Sequence, residues 1–132
     1  MSVEPEGVIE LIEPGLQTRT RSSLEDANNE WLCAWCLNRV ADEKDRLPIE
    51  GQSEFLFQNP EGLRFHIFTF ARTLGCRPAG TPTLEHTWFQ DHAWSYCLCD
   101  RCQIHLGWFY TGPSAFAGLI RDRLVRAGLV LN

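Results

Sequence analysis

Six cysteines and five tryptophans are the side chains of this 132-residue chain best suited to chemistry. Cys33 and Cys36 form one CxxC pair, and Cys99 and Cys102 form a second, with 62 residues between the pairs. Each pair can bend into a tight knuckle that aims two thiolates at one point. Two knuckles complete a tetrahedral thiolate site, which suits zinc. Four protein ligands leave no open coordination position, so this zinc is structural rather than catalytic. A single CxxC also serves redox chemistry. Two pairs in one short chain whose acidic start is not expected to be a leader point to metal instead. The gap is far longer than that of a short zinc ribbon, so a whole sheet must lie between the knuckles. Cys97 sits two residues before Cys99 and reads as a small buried hydrophobe. Cys76, in a turn-rich stretch, is the remaining candidate for a reactive thiol.

The tryptophans cluster around the second knuckle. Trp94 precedes it by five residues and Trp108 follows it by six. A knuckle folds its two arms back alongside each other, which sets Trp94 and Trp108 on adjacent strands. Trp88 lies on the loop entering the first of these strands, and Tyr110 shares the Trp108 face. Such a group is either core or the wall of an aromatic box. A box can hold a cation on its π faces or a small flat neutral ring oriented by backbone groups. The residues alone do not choose among these.

The elements that position them read mainly as strand. Glu54 to Gln58 alternates around Phe55 and Phe57, and Asn59-Pro60-Glu61-Gly62 carries the signature of a type I turn. Leu63 to Ala71 alternates with apolar residues on both faces, as a central strand does. Gly75 to Pro82 holds two prolines and two glycines and reads as loop. Trp94, Tyr96 and Leu98 alternate against Ser95, Cys97 and Cys99. Leu106, Trp108 and Tyr110 share a face of the next strand. A short final helix is expected from about Pro113, with Phe116, Leu119, Ile120 and Leu124 inward. Residues 1 to 28 carry little periodicity and read as a mobile arm before a single domain over 29–132, with a helix conceivable from Ser23 to Trp31.

Composition excludes several classes. The formal charge is −5 and Lys44 is the single lysine. Four thiolates around a divalent ion take that charge to −7. A partner bound through its phosphates, whether nucleic acid or an anionic membrane, is not expected. No apolar run approaches the ~18 residues of a membrane span. The acidic start, Met1 to Glu6, lacks the apolar core of a signal peptide, so a cytoplasmic location is expected.

One set of motifs is specific in combination: the CxxC at Cys33, Asn59-Pro60-Glu61-Gly62, Glu85-His86-Thr87-Trp88-Phe89, Ala93-Trp94, the CxxC at Cys99, His105-Leu106-Gly107-Trp108, and Phe116-Ala117-Gly118-Leu119. In order and spacing this resembles the cereblon-type thalidomide-binding (CULT) domain family, including its stand-alone bacterial members. The likeness runs from about Leu32 to Leu124. It implies a β-tent fold: two antiparallel sheets meeting near one structural four-cysteine zinc site, with a short C-terminal helix. It also implies that Trp88, Trp94 and Trp108 cage a cyclic imide, a glutarimide or succinimide ring, or the imide end of a peptide. By the same resemblance the His86 C=O accepts from the imide N–H and the Trp88 N–H donates to an imide carbonyl. The His86 side chain serves the other carbonyl, with Thr87 beside it. Phe65 and Tyr110 close the cage, and Asn59 and Pro60 form its rim. Two departures limit the carry-over. Gln90-Asp91-His92 stands where the animal proteins read Pro-Gly-Tyr, and Phe65 stands where they carry histidine. No Lon-like domain and no region for docking a ubiquitin-ligase adaptor is read in the chain. A monomer is expected.

Two other readings compete. Zinc-bearing methionine sulfoxide reductases have a similar tent with paired knuckles, and would need Cys76 or Cys97 as nucleophile. A reader of methylated or quaternary ammonium groups would use the same aromatic box, with Asp91 or Asp100 as its carboxylate. His66, His92 and His105 read as structural or surface histidines. No residue is assigned a catalytic role, because no nucleophile stands beside a suitable base.

Overall fold

The computed structural model describes residues 28–131. The expected N-terminal arm therefore lies outside the described residues, Asn28 apart. So does most of the expected helix, and its last residues, Glu30 and Trp31, are strand.

Among the described residues, nine strands form two antiparallel sheets. In chain order they are β1 (Glu30–Cys33), β2 (Arg39–Asp42), β3 (Glu54–Gln58), β4 (Arg64–Phe70) and β5 (Cys76–Thr83). There follow β6 (Ala93–Cys99), β7 (His105–Thr111), β8 (Ala115–Ile120) and β9 (Leu124–Arg126). A short helix, α1 (Ala127–Leu131), ends the described chain. The small sheet has the order β2-β1-β9, and the large one β3-β4-β8-β7-β6-β5. This is the two-sheet tent that the motifs imply.

Alternation along the strands divides the core in two. Phe68 and Phe70 of β4, Cys97 and Cys99 of β6, and Leu119 of β8 face the small sheet, where they meet Trp31, Val40 and Leu124. Ile67, Phe116 and Ile120 look the other way and pack with Phe89, Trp108 and Tyr110. The second cluster is the floor under Phe57, Phe65, Trp88 and Trp94. Trp31 anchors the first, with Nε1 donating to Glu43 at 3.0 Å and the guanidinium groups of Arg121 and Arg126 4.8 and 5.0 Å from its ring.

The structure corrects the sequence reading in three places. Gly75 to Pro82 is not loop, because Cys76–Thr83 is β5 at the edge of the large sheet. An edge strand pairs on one side only, so a proline there need not donate to a ladder, and Pro78 sits opposite Cys97. The segment after Pro113 is strand β8 rather than helix, paired with β4 on one side and β7 on the other. An apolar run of that length fits a central strand as well as a helix turn. Phe116, Leu119, Ile120 and Leu124 are nevertheless buried as expected, and the short helix comes later, at α1. Leu106 does not share a face with Trp108. The register shifts between Cys97 and Leu98, so that Leu98 pairs with His105 and Cys97 with Gly107. The extra residue, Leu106, turns into the core between the sheets.

The β7–β8 pairing depends on Gly107. A Cβ added there would lie 2.0 Å from the Gly118 carbonyl oxygen and 2.8 Å from Leu119 Cα, both backbone atoms that cannot swing aside. Gly107→Ala should cost about 3 kcal/mol of unfolding free energy, read from the denaturant midpoint at unchanged slope.

Candidate functional site

The metal site is built by two matching turns. The β1–β2 connection carries Cys33 and Cys36, and Leu37 N–H closes it on Cys33 C=O at 2.8 Å. The β6–β7 connection carries Cys99 and Cys102, and Gln103 N–H closes it on Cys99 C=O at 2.8 Å. Leu37 and Gln103 take the same positive φ, 64° and 68°. All four sulfurs lie within 4.8 Å of one another. Cys33 Sγ is 3.6 Å from Cys102 Sγ, and Cys36 Sγ is 3.6 Å from Cys99 Sγ. A tetrahedron with Zn–S bonds of ~2.3 Å has edges of about 3.8 Å, so the cluster fits one zinc ion.

The four sulfurs are not electrostatically alike. Burial pushes the Cys33 thiol up to about 12. Burial also opposes the Cys99 thiolate, yet the backbone N–H groups of Cys102 and Arg101, the Asn38 amide and the Cys36 thiol together hold Cys99 down at about 6. Asn38 Nδ2 lies 3.5 Å from Cys99 Sγ, 3.1 Å from Gly75 O and 3.2 Å from Asp100 Oδ1. It ties both knuckles to the start of β5. Cys97 is fully buried, as expected. Hydrogen bonding to Cys76 and burial drive its thiol far above the ordinary range.

The aromatic residues line a cavity of about 410 Å³ on the other face of the large sheet. Its walls are Asn59, Pro60, Glu61, Phe65, His86, Trp88, Trp94, Tyr96, His105, Trp108 and Tyr110. Eight of the nine residues expected at a ligand site are thus brought together. The ninth, Thr87, is not in the wall. Its hydroxyl donates to His92 C=O at 2.7 Å and braces the β5–β6 loop from within.

Each indole is held by its neighbours. Trp88 stacks on Phe57 at 4.8 Å and 15°, and its Nε1 donates to Gln58 C=O at 3.2 Å. Trp94 Nε1 donates to Glu85 C=O at 2.8 Å, fastening the β5–β6 loop over β6. Trp108 stands edge-to-face with Trp88 at 5.0 Å, with Phe65 at 5.3 Å and with His105 at 4.9 Å. Trp94 pairs in register with Tyr110, and Trp108 with Tyr96, so the two indoles lie diagonally across neighbouring strands. Tyr110 is part of the floor, and burial pushes its hydroxyl above the usual phenol range.

The turn at the rim is the expected one. Gly62 N–H donates to Asn59 C=O at 2.9 Å, and Gly62 has φ of +88°, a value glycine takes without strain. Asn59 Oδ1 accepts from the N–H groups of Glu61 and Leu63 at 3.0 and 2.8 Å. The loop at His86 is held at φ of +57°. Among the described residues, neither the His86 C=O nor the Trp88 N–H has a hydrogen-bond partner.

Three wall residues escaped the sequence reading. Tyr96 had a signal, since it alternates onto the Trp94 face. Glu61 sits in the turn between two rim residues already singled out. His105 had none, because the bulge at Leu106 sets its placement. Its Nε2 donates to Gly107 C=O at 2.8 Å, and burial lowers its pKa, keeping the imidazole neutral. His66 and His92 lie outside the wall, on Glu54 and on Gln90 and Ser114 respectively.

No protein-family model matches the chain. Among curated proteins it is similar to protein cereblon of Gallus gallus, 32% identical over 75 residues that take in 52% of this chain and 17% of the relative. Protein cereblon of Xenopus tropicalis is 31% identical over 74 residues, and that of Danio rerio 29% over 75, with the same coverage. The chain carries a cereblon-type (CULT) domain. It spans only 17% of the length of the cereblon proteins it matches. Among the described residues of this cereblon-type domain, no helix is long and apolar enough to cross a membrane.

Proposed function

We propose that the aromatic cavity captures a small, flat, neutral ring of the cyclic imide class, a glutarimide or succinimide. The observation that carries this reading is the pairing of the three-indole wall with two unpartnered backbone groups on one loop, the His86 C=O and the Trp88 N–H. An imide offers one N–H between two carbonyls. It can satisfy both groups at once while its methylene edges rest on indole faces. The physical role is binding, with Phe65, Trp88, Trp94 and Trp108 as walls, Tyr110 as floor, and Asn59 and Pro60 at the rim.

The competing readings draw less support. Of the two cysteines open to a reductase nucleophile, Cys97 is buried and its thiol is held protonated by Cys76 and by burial. The carboxylates suggested for an ammonium reader, Asp91 and Asp100, are not in the cavity wall, and the wall carboxylate among the described residues, Glu61, is exposed on the Asn59 turn rather than inside the aromatic box.

Titration of the zinc-loaded protein with unsubstituted glutarimide should give a large, saturable change in tryptophan fluorescence. Three of the five tryptophans line the cavity. A quaternary ammonium compound should not compete. No response from folded, zinc-containing protein would overturn the reading, and competition by the ammonium compound would replace it with the cationic one.

A further inference from the structure

We infer that the mouth of this cavity selects ligands by charge, favouring imides whose substituent carries a positive group. The inference rests on the imide reading of the same cavity and names which members of that class it prefers. Among the described residues eleven form the wall, and Glu61 is the only Asp, Glu, Lys or Arg of these. Among the described residues its carboxylate has no ion-pair or hydrogen-bond partner. It is exposed, and its backbone is fixed by the Asn59 Oδ1 bond to its N–H, so the charge is presented from a rigid turn.

Among the described residues, no Lys or Arg in the wall offsets it. Burial keeps His105 neutral. Arg64, beside Phe65, is exposed, donates to Gln58 Oε1 and lies outside the wall. Glu85, next to His86 and fastened to the Trp94 indole by its backbone carbonyl, is a second exposed carboxylate, one residue from the wall but outside it. The indole and phenyl walls carry no formal charge and hold the neutral imide ring by packing. Any substituent leaving past Asn59, Pro60 and Glu61 meets a negative rim. One exposed charge acting over a few ångströms in water changes affinity only severalfold.

The test compares three glutarimides of similar size whose substituent ends in an ammonium, a neutral amide or a carboxylate. Binding is measured by calorimetry at low and high ionic strength, at about pH 8 so that ordinary histidines are neutral. The ammonium compound should bind tightest and the carboxylate weakest, with a spread of roughly fivefold. High salt should compress the spread, and Glu61→Gln should bring the three within about twofold of one another. Equal binding of all three to the unaltered protein, or an unchanged spread in Glu61→Gln, would overturn charge selection while leaving the imide reading standing. Failure of all three to bind would bring down the imide reading and charge selection together.

Discussion

Stripping zinc from this domain should abolish its cooperative unfolding transition rather than shift it slightly. The two knuckles belong to different sheets: Cys33 and Cys36 hang from the small one, Cys99 and Cys102 from the large one. A metal on all four clamps the sheets at one end and closes a chain segment of 62 intervening residues. Without it, thiols packed within 4.8 Å of one another no longer share a cation. Structural zinc contributes on the order of 10 kcal/mol or more in small metal domains. Domains of this size are stable by only about 5–15 kcal/mol. Calorimetry after treatment with a chelator should show the transition lost, or Tm lowered by about 20 °C or more, and restored on adding zinc back. Cys99→Ser should mimic the chelator, because Cys99 is buried and takes the Asn38 amide bond. A protein shown by metal analysis to be zinc-free, yet melting unchanged, would rule out the clamp.

The knuckles and the turn at Asn59 were legible in the sequence because their constraints are local. CxxC spacing and an Asn-Pro-x-Gly tetrapeptide act over a few residues, and the structure forms all three. The strands around Trp94 and Trp108 were legible through their period-two alternation. What the sequence concealed was decided by neighbours far along the chain. Prolines mark Gly75 to Pro82 as loop by local rules, but an edge position opposite β6 tolerates them. Phe116 to Ile120 has no period that distinguishes helix from a strand covered on both faces. Its position between β4 and β7 makes it strand. The bulge at Leu106 has no residue signature, and it decides both that Leu106 enters the core and that His105 reaches the cavity wall. The site was readable as a set of aromatic residues. Thr87 drops out because a hydroxyl beside a tight loop bonds the loop itself, here at His92 C=O.

The imide reading makes Trp94 the residue whose loss should matter most at least structural cost. Trp108 is buried and touches Trp88, Phe65 and His105, so its removal damages the core as well as the cavity. Trp94 is half-buried, and among the described residues its one ring contact is with Tyr96, which is itself exposed. Its indole does two things for the site. The ring is a wall, and its N–H holds Glu85 C=O, one residue before His86. Trp94→Ala should remove both, opening the cavity to water and loosening the loop that carries the His86 C=O and Trp88 N–H. An aromatic anchor covered by its ligand costs about 3 kcal/mol when truncated, so glutarimide affinity should fall by about 100-fold. Trp94→Phe keeps an aromatic wall but not the N–H, and should fall in between, at about tenfold. Calorimetry is the readout of choice, since the substitution removes one of the fluorophores. Metal analysis should still find one zinc per chain, and Tm should move far less than in Cys99→Ser, because no Trp94 contact reaches the sulfur cluster. Unchanged affinity in Trp94→Ala would take Trp94 out of the site. Affinity lost together with zinc would instead mark Trp94 as a support of the fold.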